Sequence, residues 1–246
     1  MVSCFKFTGG IFKLHKVDYD NFEKVIGYEF KNINLLIDAL THSSYANECK
    51  NGKVIYNERM EFLGDAVLEL VSSDFIYNTM NLSEGKMSKL RASMVCEPTL
   101  SLCAKEIGLD SYIRLGKGEE KTGGRKRESI ISDAFESLIA AIYLDSGIEA
   151  AREFILKFVL NDYENKKLFV DSKTILQEVI ARDGRVCEYE IISQSGPSHD
   201  CTFEARVISN GLFEAKGYGP NKKKAEQDAA YNALLILKKK GIDIKI

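Results

Sequence analysis

The segment NERMEFLGDAVLEL carries three carboxylates, Glu58, Glu61 and Asp65, at steps of three and four residues. On a helix this spacing lines them along one face, a turn apart. Their neighbours Met60, Leu63 and Val67 are apolar, so the adjoining face of the same helix is expected to be buried. A second segment, SIISDAFESLIAAIYLD, repeats the pattern with Asp133 and Glu136 set among Ile130, Ile131, Phe135 and Leu138. Like charges about 4 Å apart repel by about 4 kcal/mol at an effective dielectric of ~20, so acidic stripes inside apolar helices are costly unless a cation holds them together. Oxygen-only ligands select Mg2+ or Mn2+ over zinc, and no cysteine or histidine lies among them. The competing reading is two solvated faces neutralised by Lys or Arg; Arg59 is the one cation interleaved with the first triplet. Periodicity by itself leaves both open. A helical di-iron centre would need Glu-x-x-His pairs, and His15, His42 and His199 supply none.

The chain that must position these groups has 246 residues, 45% hydrophobic and 28% charged, enough for one large domain or two modest ones. Three prolines and no low-complexity tract exclude a disordered scaffold. A net charge of −2 gives no global sign of a polyanionic partner, so any nucleic-acid case must rest on local clusters. The six cysteines are scattered without a C-x-x-C pair, as expected for reduced thiols. MVSCFKFTGGIFKLHK lacks the apolar core of a signal peptide, and no window approaches the ~18 apolar residues of a membrane span. A cytoplasmic protein with no membrane partner is the expectation.

Residues up to about 160 read as helices. Phe22, Val25 and Ile26 open a short one closed by Gly27; Ile33, Leu36, Ile37 and Leu40 form a stripe; a long pattern runs from Asn57 to Met80. Ser83 signals the next start. KTGGRKRE reads as a basic loop before the second acidic helix, which closes at Asp145-Ser146-Gly147, and residues 148–160 give another helix. NDYENKK is polar enough for a linker. Beyond residue 170 one amphipathic helix (Ile175, Leu176, Val179, Ile180) precedes alternating runs through Cys187, Tyr189, Ile191 and through Phe203, Ala205, Val207. Asn210-Gly211 marks a hairpin to Phe213 and Ala215, and Asn221 caps a final helix. The fold class is an all-α domain followed by a small α+β domain of helix, three strands and helix. Lys222, Lys223 and Lys224 stand at the start of that last helix, where free backbone N–H groups favour anions.

NERMEFLGDAVL resembles the signature of the ribonuclease III endonuclease domain, whose usual form has Leu in place of Met60. THSSYAN (41–47), SEGKMSKLRASMV (83–95) and GGRKRESIISDAFESLIAAIYLDSG (123–147) are similar to that family in the same order. GYGPNKKKA, DSKTILQEVI and SGPSHDCTF resemble the double-stranded RNA-binding domain. The likeness runs from about residue 18 to 240. It implies an N-terminal extension (1–17), an endonuclease domain (18–160), a linker (161–170) and a double-stranded RNA-binding domain (171–240). It further implies a Mg2+-dependent endoribonuclease, with Mn2+ as a substitute and no small-molecule cofactor. Such an enzyme cuts double-stranded RNA, including ribosomal and messenger precursors, to 5′-phosphate and 3′-hydroxyl ends.

Position by position, the resemblance makes Glu61, Asp65, Asp133 and Glu136 the metal carboxylates, Asp65 and Glu136 those whose loss should end catalysis, and Glu58 a catalytic neighbour. Glu84 matches an acid at a homodimer interface; an ordinary first-turn acid favoured by the helix dipole is the alternative. Phe62, Leu63 and Val67 are candidates to pack in that interface. Thr174, Gln177 and Glu178 would meet one minor groove, Pro197, Ser198 and His199 the next, and Lys222 and Lys223 the phosphates between, reading shape over ~16 base pairs. Asn221, Ser198 and Ala181 depart from the residues common in that domain. A duplex-RNA-binding regulator without cleavage is the alternative function, and the intact carboxylate set speaks against it.

Overall fold

The computed structural model describes residues 18–49, 54–196 and 201–244. The extension 1–17 and the loop residues Pro197, Ser198 and His199 lie outside them. The chain begins with α1 (Tyr19–Ile26), α2 (Ile33–Ala39) and α3 (Ser43–Glu48), followed by the long α4 (Glu58–Thr79). After it come α5 (Glu84–Met94), α6 (Glu97–Glu106), the short α7 (Lys117–Lys121) and α8 (Glu128–Ser146). Next are α9 (Ile148–Ile155), a π-helical turn (Leu156–Leu160) and α10 (Tyr163–Val170). No helix among the described residues is long and apolar enough to cross a membrane.

α8 is the axis of the helical domain. Ile130, Ile131, Ala134, Phe135, Leu138, Ile139, Ala140, Ala141 and Ile142 are all buried, so the helix is covered on nearly every side, by α2, α4, α6 and α9. A helix this apolar all round belongs inside a core. Its approach to α4 requires a glycine: a Cβ on Gly64 would lie 1.8 Å from the backbone oxygen of Glu136. With no side chain at Gly64 the two backbones touch, and the helices that carry the acidic residues cross at that point.

The C-terminal domain has its own core. α11 (Ser172–Ala181) and α12 (Lys222–Lys239) lie on an antiparallel sheet of β1 (Glu188–Ser195), β2 (Thr202–Ser209) and β3 (Phe213–Gly219), in the order β1-β2-β3. Ala205 pairs with Gly217 and Val207 with Ala215. The apolar face of α12 is largely alanine (Ala225, Ala229, Ala230, Ala233) because β3 runs against its backbone, a Cβ on Gly217 falling 2.0 Å from the Ala229 nitrogen.

Three expectations change on folding. The helix over 148–160 is α-helical only to Ile155 and then widens into the π turn. The basic loop holds a 3-10 turn (Gly124–Lys126) flanked by Arg125–Glu120 and Arg127–Glu119 ion pairs. Of the three interface candidates, Val67 is 6% exposed and sits in this domain's own core, where Leu63 packs against it; Phe62, 81% exposed, alone projects into solvent. The long α4 packs against α8, α5 and α9 and leaves a further face open, so its apolar residues divide between that core and the surface.

Candidate functional site

α4 and α8 bring one carboxylate oxygen each from Glu61, Asp133 and Glu136 within 4.8 Å of one another. The geometry follows from the close approach at Gly64. Glu61 lies one turn before Gly64 on α4, and Asp133 one turn before Glu136 on α8, so the acids cluster beside the contact. Asp65 and Glu58 are on exposed parts of α4. Asp65 is not one of the three grouped acids, yet among charges it is the strongest acting on Glu136.

Burial, then Asp65, Asp133 and Glu61, pushes the Glu136 carboxyl up to about 8. Every cause acts in one direction. Glu61 is raised as well, by burial first and then by Asp133, Glu58 and Asp65. Asp133 is raised by burial and by Glu97, against a Ser132 hydroxyl and His42, which lower it. Among the described residues, the arginine ion pairs of this domain lie elsewhere: Arg91 with Glu69, Arg152 with Asp74 and Glu149, Arg125 with Glu120 and Arg127 with Glu119. Partly buried acids that raise one another's pKa fit a divalent cation, whose charge would remove their repulsion.

Two neighbours escaped sequence reasoning. Glu97 opens α6, and His42 caps α3, where its Nδ1 accepts from the Ser44 amide and lies 2.8 Å from the Ser44 hydroxyl. In sequence Glu97 looks like any first-turn acid, and His42 falls in THSSYAN with no ligand spacing. Nothing in the local pattern could have placed either beside Asp133. Supports of the site are also distant in sequence: the Ser137 hydroxyl donates to the Asn57 carbonyl (3.2 Å), tying α8 to the start of α4.

Glu84 stands apart from the three grouped acids. Its carboxylate accepts from the Ser88 hydroxyl (2.9 Å) and lines a groove of about 400 Å³ with Leu70, Tyr77, Met87 and Arg91. Leu70 and Tyr77 are exposed there.

In the second domain Thr174, Gln177 and Glu178 share the exposed face of α11. Lys222 and Lys223 are exposed in the first turn of α12, which starts where the Asn221 side chain accepts from the Lys224 amide. Lys224 is turned to the helical domain, its Nζ 2.7 Å from the Glu128 carboxylate. Ser195 at the end of β1 pairs with Thr202 at the start of β2; Pro197, Ser198 and His199, between them in sequence, lie outside the described residues.

Residues 32–163 match the family model described as Ribonuclease-III-like, and residues 172–237 match the double-stranded RNA binding motif. A protein named Ribonuclease 3 from Listeria monocytogenes is 46% identical over 220 residues, covering 88% of this chain and 96% of its own. Its namesake from Caldanaerobacter subterraneus is 49% identical over 218 residues, 86% of this chain and 95% of its own. Among solved structures, the nuclease domain of ribonuclease III from Campylobacter jejuni superimposes with a TM-score of 0.55 at 39% identity, covering 60% of this chain and 99% of that one. That nuclease domain has structural flexibility in a region involved in dimer formation.

Proposed function

The chain belongs to the ribonuclease III family, a metal-dependent, double-strand-specific endoribonuclease, and from that premise we propose how its own residues share the work. Glu61, Asp65, Asp133 and Glu136 hold the divalent ion, Mg2+ with Mn2+ able to replace it. When bound, such an ion lowers the pKa of its water and neutralises charge on the phosphate being cleaved. The protein's part is to hold two acids on each of two helices whose spacing is set by backbone contact at Gly64. Asp65, exposed at the mouth of the cluster, is the acid with the freest access to a phosphate, and Glu58 stands a turn earlier beside the approaching strand. The observation that carries this reading is the convergence of Glu61, Asp133 and Glu136 with a Glu136 carboxyl raised to about 8, a group whose charge is costly until a cation arrives.

The second domain grips the duplex, with Thr174, Gln177 and Glu178 in one minor groove, Pro197, Ser198 and His199 in the next, and Lys222 and Lys223 on the phosphates between. The working form is a homodimer that cuts opposite strands to 5′-phosphate and 3′-hydroxyl ends. Phe62 seats against the partner, and Glu84 lines the groove that receives it. The functional units are 18–160, the connector 161–170 and 171–240, with 1–17 as an extension, and the enzyme acts in the cytoplasm on ribosomal and messenger precursors. In the test, a long RNA duplex is incubated with wild type and with Glu136→Gln, in Mg2+ and in EDTA. Wild type should cleave in Mg2+ alone, while Glu136→Gln binds the duplex within about threefold of wild type and cleaves at least ~10²-fold more slowly. Undiminished cleavage by Glu136→Gln would remove that residue from the site.

A further inference from the structure

α11 presents Thr174, Gln177 and Glu178 on one exposed face, and the next position along that face is Ala181, also exposed. A methyl group one turn after Gln177 reaches no further than the helix surface, so the face ends in a gap where a longer polar side chain would stand. The gap is a groove of about 280 Å³ lined by Gln177, Ile180, Ala181, Arg185, Val186 and Cys187. The helix has little positive charge to offer. Lys173 is the one basic residue of α11, and its Nζ lies 2.6 Å from the Glu226 carboxylate and 4.7 Å from the centre of the Tyr189 ring. Glu178 adds a negative charge to the exposed face. Holding a polyanion against such a surface calls for a positive group at its edge.

Arg185 stands at that edge. α11 ends in a Schellman motif: the Arg185 amide donates to the Ile180 carbonyl (3.3 Å) and the Gly184 amide to the Ala181 carbonyl (3.0 Å). Gly184 has φ +65°, a left-handed conformation that glycine adopts without strain. The reversal turns the chain back, so that Arg185 lines the groove beside Gln177 and Ala181. Its Nη1 donates to the Asn210 carbonyl in the turn between β2 and β3 (3.1 Å). Among the described residues no other hydrogen bond or ion pair holds that guanidinium. The neighbouring Arg182 is engaged elsewhere, its Nη1 donating to the Asp243 carbonyl beyond α12 (3.2 Å). One edge of the Arg185 fork is therefore anchored, and the other is open to an anion. A fork held at one edge loses less freedom when the other meets a phosphate.

We propose that Arg185 is a further duplex-contacting residue, its guanidinium taking a backbone phosphate at the rim of the minor groove that receives Thr174 and Gln177. The room left by Ala181 admits the sugar–phosphate edge beside Gln177, and the anchored fork meets one phosphate there through parallel N–H donors. The contact extends the footprint of the second domain past the end of α11. A phosphate contact reads no base edge, so it adds affinity and fixes register on the duplex without sequence preference. The proposal rests on the reading of α11 as the minor-groove face.

The test measures binding of the full chain to an RNA duplex of about 20 base pairs, longer than the ~16 such a domain spans, over a range of KCl concentrations. EDTA keeps the strands whole. Arg185→Gln should weaken binding ~3–10-fold and lower the slope of log affinity against log salt by about one, equally for duplexes of different sequence. Arg185→Lys, which keeps the charge, should keep the wild-type slope. Ala181→Leu fills the groove without changing any charge and should weaken binding by a similar factor, an independent test should Arg185→Gln fail to fold by circular dichroism. Weaker binding with an unchanged slope in Arg185→Gln would make Arg185 only a fastener of the Asn210 turn, and the contact would be overturned. Wild-type affinity in either Arg185→Gln or Ala181→Leu overturns it as well. If the Lys222→Ala, Lys223→Ala double variant also binds like wild type, the duplex-grip reading itself fails; if that variant loses affinity while Arg185→Gln does not, the Arg185 contact alone fails.

Discussion

Glu136 concentrates the electrostatics of the site in one side chain. Its carboxyl, ordinarily near 4.5, is pushed up to about 8 by burial and three neighbouring acids. A carboxyl raised in the folded state binds its proton more tightly folded than unfolded, so the stability it lends is complete below its ordinary pKa and is lost as pH rises toward the folded value. The metal-free protein should therefore melt at progressively lower temperature as pH is raised from about 5 to about 8 in EDTA. Adding Mg2+ at pH 8 should restore much of the loss, since the ion binds the folded cluster and not the unfolded chain. Glu136→Gln should melt higher than wild type at pH 8 in EDTA and depend less on pH. Melting curves recorded across that range decide it, and superimposable pH profiles for the two proteins would mean that Glu136 is not the strained group. The residue types and their period were legible in the sequence. The strain was not, because it depends on burial and on Asp65, Asp133 and Glu61 all acting on one carboxyl.

Among the elements, the α4–α8 crossing matters most. A methyl group at Gly64 would overlap the Glu136 carbonyl, so the helices must move apart to admit it. Gly64→Ala should cost roughly 2–4 kcal/mol in urea unfolding, at the upper end for an overpacked core, and lower cleavage more than ~10²-fold because the carboxylates part. Near-normal activity in that variant would show that the backbone contact does not set the site. α12 poses a milder question. Asn221 accepts from the Lys224 amide at the start of the helix that carries Lys222 and Lys223. Asn221→Ala should cost about 1 kcal/mol, and Asn221→Ser almost nothing, in thermal unfolding. Removing both lysines should reduce the slope of log affinity against log salt by about two for duplex RNA, with the sequence preference unchanged. Helix α4, the three strands and the Asn221 cap could be read from periodicity and cap chemistry. α3, α6 and α7 could not, because they are short or interrupted and their apolar residues make no clear stripe.

At the scale of the whole molecule, the exposed face is as informative as the core. Phe62 is 81% exposed on the same helix whose Val67 is buried, and Leu70 and Tyr77 are open further along it. Phe62, Leu70 and Tyr77 lie on one side of α4, and a contiguous exposed apolar face of this kind suits packing against another chain. Phe62→Asp should shift the protein from dimer to monomer in sedimentation at micromolar concentration and reduce double-strand cleavage, while helicity stays as in wild type. A dimer that survives Phe62→Asp would place the interface elsewhere. The sequence singled out Phe62, Leu63 and Val67 alike. Which of them faces inward followed only once α8 had taken its place.

From the order of residues alone came the helical first domain, the helix, three strands and helix of the second, and the five acids to watch. Each of these depends on forces acting over a few residues: hydrophobic period, turn and cap chemistry, and repulsion between acids a turn apart. Tertiary structure alone decided that Glu61, Asp133 and Glu136 stand within 4.8 Å, that Glu97 and His42 act on Asp133, and that Arg185 lines one groove with Gln177 and Ala181. Such distances between segments depend on how closely two backbones can approach, and at Gly64 that is settled by the absence of one methyl group whose partner lies 72 residues away.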